Sequence, residues 1–164
     1  MTTARSPWKP VLAAVLAAMA LAGLGALSTD LGPWYQSLKQ PAWKPPDMLF
    51  GPAWTIIYAL AATAGVRAWN AAPSRADREW LIALFALNGF LNLLWSLLFF
   101  RLQRPDWALV EVGFLWASIL LLMGVLGRYS RVAWLLLAPY LAWVSFAATL
   151  NLAVVRLNGP FGAS

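Results

Sequence analysis

Five long apolar stretches decide what this chain can fold into. Pro10–Leu27, Gly51–Trp69, Leu81–Phe100, Trp107–Leu126 and Val132–Val155 each come close to the ~20 mostly apolar residues a helix needs to cross a bilayer. A soluble domain cannot hide so much apolar surface: 62% of the residues are hydrophobic and 11% charged, against roughly 45–50% and about 25% in soluble proteins. The expected fold is therefore an all-α membrane protein, a five-transmembrane-helix bundle forming one domain over residues 1–164. The connections at Asn70–Trp80, Arg101–Asp106 and Gly127–Arg131 are short, which makes consecutive helices antiparallel neighbours. Only the connection after the first span, residues 28–50, is long.

The first span has a rival reading. Arg5 and Lys9, an apolar run and then Gly25-Ala26-Leu27-Ser28 also fit a secretory signal peptide. The run exceeds the ~7–15 residues of a signal core, and Ala14, Ala18, Ala22 and Ala26 recur at the four-residue spacing of a packed helix face, so it is read as the first helix. Counting Lys and Arg by side puts Arg5, Lys9, Arg67, Arg75, Arg78, Arg128 and Arg131 with the N-terminus and Lys39, Lys44, Arg101, Arg104 and Arg156 opposite. That bias favours a cytoplasmic N-terminus, and Arg67 alone nearly carries it.

The net charge of +6 does not point to nucleic acid, because the basic residues sit at span ends, where they meet lipid headgroups. The chain has no cysteine and no histidine, which removes thiolate chemistry, thiolate metal sites, the usual haem ligand and the usual neutral-pH base. No cofactor and no metal site is expected. One acidic residue lies within a span, Glu111. Intramembrane carboxylates invite a functional reading, but Glu111 is near enough to the end of its span to reach the interface or pair with Arg101 or Arg104.

The long connection carries Trp34-Tyr35-Gln36-Ser37-Leu38-Lys39-Gln40-Pro41-Ala42-Trp43-Lys44-Pro45-Pro46 and leads into Gly51-Pro52-Ala53-Trp54. Three prolines in six residues bar a helix there, leaving a stiff segment that presents aromatic faces, as a lid would. A lone tryptophan in this position reads as an interfacial anchor; the Pro-Pro spacing is not something an anchor requires. In the last span Pro139, Trp143, Ala147 and Asn151 recur every fourth residue, one stripe beside Tyr140, and are expected to face the protein. The third span aligns Asn88, Asn92, Trp95 and Phe99, and the second aligns Trp54, Tyr58, Ala61 and Gly65. The amides can act as interhelical glue. Together the three faces can also enclose a cavity of ring surfaces and a few polar groups, the usual build of a site for flat apolar ligands.

The patterns W-Y-x-x-L-x-x-P-x-W-x-P-P, G-P-x-W, L-N-x-x-W and P-Y-L-x-W with L-N, in this order over residues 34–158, resemble the TspO/translocator family, also called the peripheral benzodiazepine receptor family. The resemblance implies a five-helix bundle, usually a homodimer, whose pocket is closed by the loop after the first helix. It puts Trp34, Tyr35, Trp43 and Pro45 in that lid and Trp54, Asn92, Trp95, Trp143, Ala147 and Leu150 around the pocket. Its ligands are porphyrins such as protoporphyrin IX and, in several members, cholesterol, and its bacterial members are tied to tetrapyrrole and stress regulation. The sterol motif is broken here, with Leu152 where the family has Tyr, although Arg156 remains; a formal match at Leu126, Tyr129 and Arg131 is a chance one in a short loop. Trp95 is followed by Ser96-Leu97, not by the proline pair of some relatives, so a straighter third helix is expected. Function is read as a membrane receptor or sensor for porphyrin-like ligands. The alternatives are light-dependent breakdown of protoporphyrin using Trp54 and Trp143, which the resemblance brings, or a porphyrin or lipid carrier. Trp8, Trp80, Trp107 and Trp134 are left as interface anchors.

Overall fold

The computed structural model describes residues 8–162, so Arg5 lies outside the described residues. Helix α1 (Trp8–Ser28) is followed by a short helix α2 (Pro33–Ser37), and then by α3 (Phe50–Ala71), α4 (Arg75–Ser96), α5 (Pro105–Tyr129) and α6 (Arg131–Asn158). A 3-10 turn, Asp47–Leu49, leads into α3, and a π-helical turn, Leu97–Arg101, ends α4. The five long elements are each long and apolar enough to cross a membrane.

All five run past the ends read from hydropathy, the third when its π turn is counted, and two of them start at a serine cap. Ser74 caps α4 through a reciprocal pair, its Oγ accepting from the Asp77 N–H at 3.0 Å and the Asp77 carboxylate accepting from the Ser74 N–H at 3.1 Å. Ser130 Oγ caps α6 by accepting from the Ala133 N–H. Pro105 opens α5 at the first-turn position where a missing N–H costs nothing.

The helices close a ring in the order α1, α3, α6, α5, α4. Helix α5 carries the core: Ala108, Val112, Leu115, Ile119, Leu122 and Leu126 are all buried, following the three- and four-residue steps of one helix face. No residue of α1 is buried. The expectation that consecutive helices are close neighbours holds for α4, α5 and α6 but not for α3 and α4, which pack only loosely. Large side chains bridge that gap. Gly65 of α3 faces the Phe85 ring so closely that an added Cβ would sit 3.2 Å from it.

Three further expectations are corrected. Glu111 neither reaches the interface nor pairs with Arg101 or Arg104: it is 6% exposed, and both carboxylate oxygens are buried without a hydrogen-bond partner among the described residues. The arginines are engaged elsewhere, Arg101 with Asp30 and Arg104 with Asp106. Pro139 is exposed, while Asn151 at the other end of its stripe is buried. On a 3.6-residue helix each four-residue step advances about 40° beyond a full turn, so the stripe winds from the outer surface to the core. Finally, the third span is not a regular helix beyond Ser96; its last turn widens, with the Leu102 N–H donating to the Leu97 carbonyl at 2.9 Å.

Candidate functional site

At the end of the bundle where α1 and α6 finish and α3 begins, the loose packing leaves a cavity of about 480 Å³. That is within the range of small-molecule sites. Its walls are mainly aromatic. On the α3 and α6 side, Trp54 stacks on Tyr58 at 5.3 Å between centroids and meets Trp143 edge-on at 6.5 Å, while Phe50 meets Trp143 at 5.6 Å. On the α4 side, Trp95 stacks on Phe99 at 5.2 Å and meets Phe100 edge-on at 6.1 Å. The π turn explains how Phe100 joins Phe99 in the lining, since in an ordinary helix the fifth residue after Trp95 would point about 140° away from it. Helix α1 contributes no ring. It lines the cavity with Ala22, Gly25, Ala26 and Thr29, whose small size is what leaves the space.

Beneath the rings runs one directed line of hydrogen bonds. Tyr58 Oη donates to Asn92 Oδ1 at 2.8 Å, Asn92 Nδ2 donates to Tyr140 Oη at 3.2 Å, and Tyr140 Oη donates to Asn88 Oδ1 at 3.1 Å. Asn88 Nδ2 then donates to Ser118 Oγ at 2.8 Å, and Ser118 donates to the Leu115 carbonyl. This line ties α3, α4, α5 and α6 together through buried side chains, which is how polar groups persist inside a membrane protein. A second tie is Asn151, which accepts from Trp95 Nε1 at 3.2 Å and donates to the Pro105 carbonyl at 2.8 Å. Two donors at the cavity have no acceptor among the described residues, Trp143 Nε1 and Gln40 Nε2.

Over this space lies the connection after α1. Its centre is Asp47, whose Oδ1 accepts from Tyr35 Oη at 2.8 Å and pairs with Lys44 Nζ; the ammonium also lies 5.5 Å from the Tyr35 ring centroid. Burial foremost, then the hydrogen bond to Asp47, pushes the Tyr35 phenol above its ordinary range, so it remains a neutral donor. The connection is clasped to α6 by two reciprocal bonds, the Lys39 N–H to Asn158 Oδ1 at 2.7 Å and Asn158 Nδ2 to the Lys39 carbonyl at 2.9 Å. Arg101 holds its start through Asp30 and the Leu27 carbonyl.

Of the residues expected at the site, Tyr35, Trp54, Asn92, Trp95, Trp143, Ala147 and Leu150 line the cavity. Trp34, Trp43 and Pro45 belong to the covering segment but not to the lining. Trp34 braces Phe99 edge-on from behind, Trp43 is 52% exposed against Phe146, and Pro45 stiffens the turn between Lys44 and Asp47. Sequence reasoning missed Gln40, Asp47, Phe50 and Phe100. For Asp47 a signal existed, the lone acid three residues after Lys44; for Phe100 none did, because its inward aim comes from the π turn. Among the described residues, no group of three or more His, Cys, Asp or Glu is placed to hold a metal ion.

The profile of the TspO/MBR family matches residues 11–157. The chain belongs to the TspO/MBR family. It is 42% identical to the tryptophan-rich protein TspO of Chlorobaculum tepidum over 76% of this chain and 79% of that one. It is 33% identical to the tryptophan-rich sensory protein of Cereibacter sphaeroides over 92% of each, and 32% identical to the translocator protein of Sus scrofa over 93% and 92%. As a TspO-family protein with five membrane-spanning helices it is a multi-pass integral membrane protein.

Proposed function

We propose that the chain is a membrane receptor that binds flat, mainly apolar ligands of the porphyrin class, protoporphyrin IX among them, in the cavity between α1, α3, α4 and α6. The observation that carries this reading is the pairing of two aromatic walls, Trp54–Tyr58–Trp143 and Trp95–Phe99–Phe100, around one covered space. Ring contacts contribute ~0.5–1.5 kcal/mol each beyond area burial, so several of them with the buried apolar area reach micromolar affinity, about −8 kcal/mol. The unpaired Trp143 Nε1 and Gln40 Nε2 call for a ligand that carries hydrogen-bond acceptors at its rim. The relatives named sensory protein and translocator protein agree with a receptor role.

With no histidine and no cysteine in the sequence, the usual axial ligands of haem iron are missing, so metal-free protoporphyrin binds at least as well as haem in this reading. Titrating each against tryptophan fluorescence in detergent tests it. Strong preference for haem, or quenching that persists in a Trp54→Ala, Trp143→Ala double variant, overturns it.

A second reading is turnover of the bound ring under light. Trp54 and Trp143 lie edge to face at 6.5 Å, close enough to one another to share an oxidising event with a ring held between the walls. Illuminating the loaded protein decides it: a new absorbing product that is lost in Trp143→Phe supports turnover, and bleaching unchanged by that substitution rejects it.

A further inference from the structure

A second and larger hollow, of about 1040 Å³, runs between α1 and α3 on the side of the bundle that faces lipid. Small residues line its length, Ala14 and Ala18 from α1 and Ala59, Ala62 and Thr63 from α3. It reaches from Thr55 to Asn70 on α3, about 22 Å at 1.5 Å per residue. One leaflet is roughly half of the ~30 Å hydrocarbon core, so the groove is long enough for a single acyl chain. Its two ends differ. One is polar, with Arg67, Asn70, Tyr129 and Ser130; the other consists of Ala22, Thr55 and Tyr58, which also line the aromatic cavity.

The charge at the polar end indicates the occupant. Arg67 is exposed and makes no ion pair among the described residues. The acids of that end are already engaged, Asp77 with Ser74 and Tyr129 and Glu79 with Arg75. A guanidinium that lacks a carboxylate at headgroup depth, above a groove shaped for a chain, matches a phosphate. A second copy of this chain matches less well, since a twofold axis along the membrane normal brings residues of equal depth together and would set Arg67 against Arg67.

We propose that the α1–α3 groove is a binding site for one anionic phospholipid, its phosphate on Arg67 and Asn70 and one acyl chain laid along the alanines with its tip against Tyr58. The bound chain then forms part of the outer wall of the aromatic cavity. The site does not depend on what that cavity holds.

Native mass spectrometry of the full chain in mild detergent, given equal amounts of dioleoyl phosphatidylglycerol and dioleoyl phosphatidylcholine, tests this. Wild type is expected to retain the anionic lipid about fivefold better, the equivalent of the ~1 kcal/mol that one arginine near a membrane surface contributes. Arg67→Gln is expected to bring the two lipids to parity, whereas Arg128→Gln, at the same membrane face but outside the groove, keeps the preference. Thr63→Leu, which narrows the groove, lowers retention of both lipids. Equal retention by wild type, a preference that survives Arg67→Gln, or adducts unaffected by Thr63→Leu each overturn the proposal. So does a dimer mass that Thr63→Leu abolishes while lipid adducts persist, which would make a second copy the occupant.

Discussion

Glu111 and Asn151 are both buried polar residues, yet their situations are opposite. Asn151 has its acceptor and its donor engaged, by Trp95 and by the Pro105 carbonyl, so Asn151→Ala strands the half-buried Trp95 N–H and the buried Pro105 carbonyl at once. The expected cost is about 1–3 kcal/mol per stranded group, read as a fall in the melting temperature of the detergent-solubilised protein, together with weaker porphyrin binding because Trp95 loses its anchor. Glu111 has neither oxygen engaged, so the reverse holds: replacing it with the similarly sized Met removes an unsatisfied group from the core and is expected to stabilise by about 1–3 kcal/mol. A lower melting temperature for Glu111→Met would mean that the carboxyl has a partner when the protein is loaded, and repeating the melt with ligand would show it. The sequence marked Glu111 as unusual but not how it is held, since nothing in the order of residues says that Arg101 and Arg104 are taken by Asp30 and Asp106.

The lid connection behaves as one element because a few bonds close it on itself and on α6. Asp47 joins Tyr35 to Lys44 across the Pro45-Pro46 turn, so Asp47→Ala should loosen the cover without touching the aromatic walls. The expected result is faster porphyrin dissociation in stopped flow, on the order of tenfold for the ~1.5 kcal/mol of a charge-assisted bond, with a smaller change in the association rate; an unchanged dissociation rate would mean that the segment is not what retains the ligand. The elements also show which signals a sequence carries. Hydropathy found all five spans because the bilayer sets their length, and three- and four-residue spacing found the Trp54–Tyr58 and Asn92–Trp95 faces because those helices are regular there. It failed at Phe100, where a π turn resets the phase, and at Pro139, where a four-residue stripe drifts out of the interface. Helix α1 offered no hint of lining a cavity, since Ala and Gly read alike whether they face a neighbour or empty space.

At the scale of the molecule, the cavity exists because α1 closes the ring with residues too small to fill it. Gly25 marks the place: a Cβ there would lie 3.9 Å from Tyr58 Oη, in ordinary contact, so Gly25→Ala is accommodated and Gly25→Leu projects a branched side chain into the space between α1 and the aromatic walls. Filling an apolar void adds contacts that the native protein lacks, and cavity-filling changes commonly add about 0.5–2 kcal/mol while costing function. Gly25→Leu is therefore expected to raise or preserve the melting temperature and to abolish porphyrin quenching of tryptophan fluorescence, while Gly25→Ala keeps both near wild type. Gly23, two residues earlier on α1, has open space at its Cβ and does not line the cavity, so Gly23→Leu serves as the control that alters lipid-facing bulk alone. Should Gly25→Leu bind porphyrin as well as Gly23→Leu does, the ligand does not occupy the space between α1 and the rings, and the receptor reading of this cavity fails with it.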